Sequence, residues 1–240
     1  MQTTVSKYLL LGGMLLLGSS GYSVLAETLR VAVPDYPPFS YLQDEHIAGE
    51  GFDAFVAIMT QLDVDYRAEP VPHFGRSLID MQNNLVDALL MATESPERNA
   101  LAEYSIPLFV TDWAWVWLTN RTDIQPDSEQ FKQTATVSAQ MNSNIYRWLA
   151  LQGYQIAPGT TDIRGLFNLL DHDRVDVIML PALTATTLID NHQLDKTQYK
   201  IHNHMQMPYG IYISKTYLAA HPGFMAALNQ AIAEYKAAQP

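Results

Sequence analysis

Apolar positions along the chain fall into two alternating spacings. LRVAVP and VDYRAEPV are short runs with strand character. FDAFVAIMTQL, from Phe52 to Leu62, instead sets its apolar residues three and four apart, as one buried helix face requires. Between the first strand and this helix, DYPPFSY carries Pro37 and Pro38, which bar regular structure and predict a rigid loop. The order strand, loop, helix, strand continues with SLIDMQNN as a second helix. VDALLMAT follows as a nearly continuous apolar run, the pattern of a strand buried on both faces of a parallel sheet.

A second set repeats the scheme. WAWVWLTN, from Trp113 to Asn120, alternates large aromatics with Ala114 and Val116, which is strand periodicity, and TDIQPDSEQ reads as a polar loop. TATVSA then predicts a strand, NIYRWLALQG a helix closed by Gly153, YQIAP a strand, DIRGLFNLLDHDR a helix and VDVIMLP a buried strand. KIHNHMQMPYGIYIS carries the chain through an extended segment into a long helix, HPGFMAALNQAIAEYKAAQ. Alternating β and α units in two sets predict an α/β fold, and no fixed-period repeat suggests a solenoid.

The start of the chain belongs to another category. Lys7 precedes the apolar run YLLLGGMLLL, and GSSGYSVLA ends with Val24 and Ala26 at small-residue cleavage spacing, which predicts a signal peptide over residues 1–26 and a mature start at Glu27. That run is short for a membrane span. Without Lys7 the chain keeps 13 basic against 25 acidic residues, a formal charge of −12, which argues against nucleic acid or anionic membranes as partners. Cysteine is absent, so an exported chain must rely on its core, and no lipid-acceptor cysteine follows the leader. The expectation is a monomer free in the periplasm of a two-membrane bacterium.

One residue has a charge its position does not favour. In ESPERNALAEYS, Ser95 is a good N-cap, Pro96 suits the first helical position and Glu97 complements the helix dipole. Arg98 adds a cation to a helix end that is already partly positive. Either a nearby acid (Glu94, Glu97 or Glu103) or an anion outside the chain must offset it.

LRVAVPDYPPFSY, GFDAFVAIM, NNLVDALL, SPERNALAEYSIPLF, DRVDVIMLP and PYGIYIS with AALNQAIAEYKA together, in order and spacing, resemble the extracellular solute-binding proteins of the polar amino-acid type. These are the periplasmic components of ABC importers. The resemblance implies a two-lobed type II periplasmic binding fold, with lobe 1 formed by residues 27–118 and 206–240 and lobe 2 by 119–205. Two strands would cross between lobes, near Thr119 to Thr122 and near Asn203 to Pro208, and a small solute would be enclosed by hinge closure.

The same resemblance implies site residues. Arg98 would hold a ligand carboxylate in a bidentate pair, assisted by the Thr93 hydroxyl. Tyr36 and Phe74 would sandwich the rest of the ligand, while Phe39 and Tyr41 serve as core or rim. Ser143 and Asn144 would contact the carboxylate from the second lobe, with Asn142 taking the place of a glycine because asparagine tolerates positive φ. Ser143 also suits plain N-capping of the helix that follows. Of Trp113, Trp115 and Trp117, at least two are expected in the core, and the one nearest the hinge is a candidate floor for the cleft.

The sequence also departs from the family. Where relatives carry an aspartate for the ligand's ammonium, this chain has Pro181, so Asp35, Glu94 or Asp112 must substitute or the solute lacks that ammonium. The chain also ends at Pro240, without the further aromatic helix usual in relatives. No metal or cofactor is implied, and His202 with His204 has no third ligand nearby in sequence. The expected function is non-enzymatic capture of a carboxylate-bearing solute for an inner-membrane ABC permease. Two alternatives remain: a cyclohexadienyl-type dehydratase with Glu94 as its acid, and an orphan sensor serving a membrane receptor.

Overall fold

The computed structural model describes residues 28–191 and 194–239, so the expected signal peptide and the start at Glu27 lie outside the described residues. The chain begins with β1 (Leu29–Pro34), a hairpin of β2 (Tyr41–Gln43) and β3 (His46–Ala48), α1 (Glu50–Gln61), β4 (Tyr66–Val71), α2 (Phe74–Gln82) and β5 (Ala88–Ala92). α3 (Pro96–Leu101), β6 (Ala102–Tyr104) and the long β7 (Phe109–Leu118) follow. The second set consists of α4 (Phe131–Thr134), β8 (Thr136–Ser138), α5 (Asn144–Leu151), β9 (Gln155–Ile156), α6 (Gly165–Asp171), β10 (Val177–Pro181) and α7 (Ala182–Asn191). β11 (Tyr199–Ser214), α8 (Lys215–Ala220) and α9 (Phe224–Ala237) complete it.

The strands lie in the order β4-β1-β5-β11-β7-β10-β8-β9, with β6 against β11. β1 runs parallel to β4 and β5, and β8 parallel to β10 and β9, so each flank is an α/β unit with helical crossovers. Between them β7 and β11 run antiparallel. Tyr199 to Tyr209 of β11 pair along the whole of β7, and Gly210 to Ser214 then pair with β5 and β6. The fold is thus α/β and two-lobed, with two strands passing from one lobe into the other.

Packing shows how β7 divides. Trp113 to Val116 pair with β10, and Trp113, Trp115 and Trp117 join Phe131, Val137, Leu149 and Met179 in one core cluster. The aromatic run expected in the first lobe therefore packs in the second unit. Polar Thr119 to Thr122 follow the end of the strand, where the Thr119 amide still donates to the Gln198 carbonyl (2.8 Å). On the other face of this sheet, Val116, Leu166, Phe167 and Ile178 belong to a core continuous with that of the first unit.

Several short elements were not expected. β2 and β3 form a tight hairpin, α7 begins directly at the end of β10, and α2 starts at Phe74, three residues before the predicted SLIDMQNN. His73 caps α2, its Nδ1 accepting from the Arg76 amide (3.2 Å).

β11 shifts register between Asn203 and Met205, leaving His204 at a bulge between the Trp115 and Trp148 rings, with both centroid distances 5.4 Å. Burial lowers the His204 pKa; among the charges around it Asp127 acts the other way, while His202 and Lys132 add to the lowering. A depressed histidine favours the neutral ring in the fold. Its contribution is present above the ordinary value of 6.5 and is lost as pH falls through the lower folded value. Thermal melts from neutral to mildly acidic pH are expected to fall more steeply for the parent than for His204→Phe; parallel curves would show that this ring is not a source of acid sensitivity.

Candidate functional site

The first wall of the site is fixed before any other group is considered. The Tyr36 amide donates to the Ser40 carbonyl (2.6 Å), and the Ser40 hydroxyl donates to the Pro34 carbonyl (2.7 Å), closing the proline loop on itself. Gly49, with φ at +120°, lies so close that a Cβ there would come within 2.6 Å of the Pro38 and Phe39 backbone, so only glycine lets the loop seat against the start of α1. Held this way, the Tyr36 ring meets Phe74 edge to face at 5.0 Å and stacks on Tyr209 at 6.2 Å. Phe39 is buried core, whereas Tyr41 lines a separate cavity of about 330 Å³ beside the hairpin.

Arg98 lies in the first turn of α3, where Ser95 caps the helix through a 3.4 Å bond from the Arg98 amide. Its side chain turns inward and is only 5% exposed, which makes it a buried cation. Nη1 donates to the Thr93 carbonyl (2.6 Å) and weakly to the Thr93 hydroxyl (3.4 Å), and the guanidinium carbon stands 5.2 Å over the Phe74 ring. Among the described residues no carboxylate forms an ion pair with it. Glu97 pairs with Arg147 across the cleft, and Glu94 accepts from Asn99. Burial drives the Arg98 pKa down to about 10, so the group still carries its charge at neutral pH.

The second wall comes from the turn before α5. Asn142 takes φ +61°, the left-handed conformation that the substitution for glycine requires, and Ser143 caps α5 by accepting from the Tyr146 amide (3.1 Å). Asn144 reaches across. Its Nδ2 donates to the Thr93 hydroxyl (2.7 Å), the Thr93 carbonyl (3.1 Å) and the Glu94 carbonyl (3.3 Å). On the far side, Arg164 at the start of α6 pairs with Asp35 (2.6 Å). The lobes are in contact, with an ion pair on each side of the site.

Tyr36, Phe74, Thr93, Arg98, Ser143 and Asn144, the six residues expected from the sequence, all line one pocket. Trp113, Ile145 and Tyr209 complete its lining, and its free volume is about 10 Å³, roughly the room one water needs. A larger space of about 230 Å³ adjoins it, reached by Arg98 and Asn144 and bounded by α2 and Arg147.

Trp113 and Tyr209 were not singled out by the sequence reading. Trp117, nearest the expected hinge, proves to be core, whereas Trp113 lines the pocket. Among the three tryptophans of β7, the Trp115 and Trp117 indole nitrogens are buried without a hydrogen-bond partner, while Trp113 Nε1 donates to the Tyr209 hydroxyl (2.9 Å). That hydroxyl lies 3.3 Å from the Tyr36 hydroxyl. Burial holds both phenols above the ordinary tyrosine range, Tyr209 at about 12, so both keep their protons.

Pro181 ends β10 directly opposite Trp113. The three acids considered as substitutes for it are engaged elsewhere: Asp35 with Arg164, Glu94 with Asn99, and Asp112 with Asn203 (2.7 Å). None of the three lines the pocket, which therefore carries one positive charge and no carboxylate.

The family model for bacterial extracellular solute-binding proteins, family 3, matches residues 29–239. No curated protein matches the chain. Among solved structures, an ancestral arginine-binding protein bound to glutamine is similar with a TM-score of 0.73 at 22% identity, over 88% of this chain and 92% of that one. The GluR0 ligand-binding core from Nostoc punctiforme, in complex with L-glutamate, gives 0.72 at 18% identity, over 87% and 93%. A histidine kinase sensor domain with similarity to periplasmic binding proteins gives 0.74 at 16%, over 88% and 93%. At these identities the likeness establishes a shared fold.

A close approach between the lobes supplies a test of their contact. A Cβ at Gly75 would lie 2.6 Å from the Cβ of Asn142, closer than packed carbons allow. Gly75→Ala is expected to hold the lobes apart, raising the radius of gyration in solution scattering, and adding Asn142→Gly is expected to restore it. An unchanged radius in the single variant would show that this approach does not limit closure.

Proposed function

The chain belongs to the bacterial extracellular solute-binding proteins, family 3, and we propose that it captures a small carboxylate-bearing solute between its lobes, without chemical change, for delivery to an inner-membrane ABC permease. One observation carries this reading. Arg98 is buried and charged yet has no carboxylate partner among the described residues, in a chain with 25 acidic residues to choose from. A desolvated guanidinium is costly unless paired, and a planar carboxylate matches its fork of donors.

The mechanism follows from the remaining groups. A pocket of about 10 Å³ cannot admit an organic acid while Asn144 is bonded to Thr93, so the lobes must part for entry. The carboxylate then takes the free edge of the guanidinium and the Thr93 hydroxyl, while Ser143 and Asn144 close over it from the second lobe. Tyr36 and Phe74 receive the apolar part. We place the passages between lobes near Thr111–Asp112 of β7 and near Met207–Pro208 of β11, just outside the aromatic core of the second lobe.

With Pro181 opposite Trp113 and every nearby acid engaged elsewhere, a free ammonium would have no counter-charge in the closed site. Organic anions or modified amino acids are therefore preferred over ordinary α-amino acids. Glu94 is exposed and bonded to Asn99. That geometry disfavours the dehydratase alternative, which needs an acid beside Arg98. The periplasm suits the family and the expected leader, and no helix among the described residues is long and apolar enough to cross a membrane.

A thermal-shift screen of small carboxylates and standard amino acids, followed by calorimetry, tests the reading. The expected hits are carboxylates lacking a free α-amino group. Arg98→Ala is expected to weaken binding of the hit at least about thirtyfold while leaving the ligand-free melting temperature near that of the parent, because the removed charge is unpaired. Near-normal affinity in that variant would overturn the proposal, and a micromolar standard amino acid would overturn the reading of Pro181 alone.

A further inference from the structure

The donors and acceptors of the pocket do not balance. An indole N–H can only donate, so the bond from Trp113 fixes the Tyr209 oxygen as an acceptor. The Tyr36 and Tyr209 hydroxyls share one bond at 3.3 Å, and neither has a further partner beyond that indole among the described residues. Two phenols joined by one bond hold two protons and use one. Whichever way that bond points, one hydroxyl proton is left for a group in the pocket that both rings line.

The guanidinium leans the same way, and Asn144 alone the other. Arg98 Nε and Nη2 make no hydrogen bond among the described residues, and the Thr93 oxygens are already accepting from Arg98 and Asn144. Three carbonyl and hydroxyl acceptors take up Asn144 Nδ2, which leaves its Oδ1 as the one uncommitted amide acceptor on the lining. Pro181, facing Trp113, adds neither donor nor charge. A solute fitting this inventory must supply acceptors, first to the guanidinium and then to the phenol.

We infer that the solute is a monocarboxylate whose second polar group is a neutral oxygen acceptor, a 2-oxo acid in preference to the 2-amino acid of the same skeleton, and that Trp113 and Tyr209 set this preference through Tyr36. The inference rests on the carboxylate reading of Arg98 given above. It adds the identity of the group beside the carboxylate. A keto oxygen accepts the spare phenolic proton, whereas an ammonium presents three more donors to a pocket already rich in them and lacking an anion. The indole bond matters because it commits the Tyr209 oxygen, so the phenol pair acts as a donor toward the ligand.

Calorimetry on the purified protein with matched sets of three compounds tests this: pyruvate, alanine and propionate; 4-methyl-2-oxopentanoate, leucine and 4-methylpentanoate; phenylpyruvate, phenylalanine and 3-phenylpropionate. In the set whose skeleton fits, the oxo acid is expected to bind at least about tenfold tighter than either companion, as one added hydrogen bond allows. The Tyr36→Phe/Tyr209→Phe double variant, which removes both phenolic protons, is expected to shrink the ratio of oxo acid to plain acid to about threefold or less. Each single variant leaves one phenol with a free proton and is expected to keep the oxo acid preferred. Amino acids binding as tightly as the oxo acids, plain acids equalling them, or a ratio unmoved in the double variant would overturn the inference while sparing the Arg98 anchor. Failure of all nine compounds to bind, where the wider screen yields a carboxylate whose binding Arg98→Ala removes, would overturn this inference and spare the anchor.

Discussion

The antiparallel ladder between β7 and β11 is the constraint on which the other parts depend. It is the element both lobes share, and its period of two decides which side chains serve the core and which serve the cleft. Trp113, Trp115 and Trp117 fall on one face of β7, Ala114 and Val116 on the other. Because the ladder continues to Tyr209, the hydroxyl of that residue meets the Trp113 indole although 96 positions separate them. Flanking parallel strands could be lengthened or trimmed with local effects; a slip of one residue in this pair would reverse every side chain on it.

Charge is distributed around that ladder with a consistent asymmetry. The chain is acidic overall, and Arg30, Arg76, Arg121, Arg147 and Arg164 all have carboxylate partners. Those pairs are partly exposed and individually weak. Arg98 is the most deeply placed of these cations, and its neighbours are a carbonyl, a hydroxyl and an aromatic face. Folding leaves its electrostatic cost uncompensated within the protein. The peripheral pairs of Arg147 with Glu97 and of Arg164 with Asp35 lie on either side of the site.

Much of this was legible in the sequence because it rests on local chemistry. The Pro37–Pro38 loop, the strand alternation of WAWVWLTN, the Gly153 stop of α5 at φ +78° and the left-handed Asn142 each follow from one residue's steric preferences. What escaped notice depends on partners far away in the chain. The β2–β3 hairpin turns on Asp44 and Glu45, both at positive φ, where glycine or asparagine would have announced it. α7 begins without a linker and contains several β-branched threonines, although its buried residues Thr184, Ala185, Leu188 and Ile189 do repeat at helical spacing. Tyr209 read as one more aromatic in an extended run, because nothing local reveals an indole donor on another strand.

The distribution of tryptophan carries an optical consequence. All four indoles, Trp113, Trp115, Trp117 and Trp148, belong to the second lobe's aromatic cluster or border it, and β1 to β6 contain none. Intrinsic emission excited at the red edge therefore originates in one half of the molecule, with Trp113 its one contact to the cleft. The emitters are also unlike one another: Trp115 and Trp117 sit in apolar surroundings with unpartnered nitrogens, while Trp113 is bonded to a phenol at the cleft. Loss of the first lobe's structure alone would reach this emission only through Trp113 and its bond to Tyr209, and would otherwise have to be followed through tyrosine or the backbone.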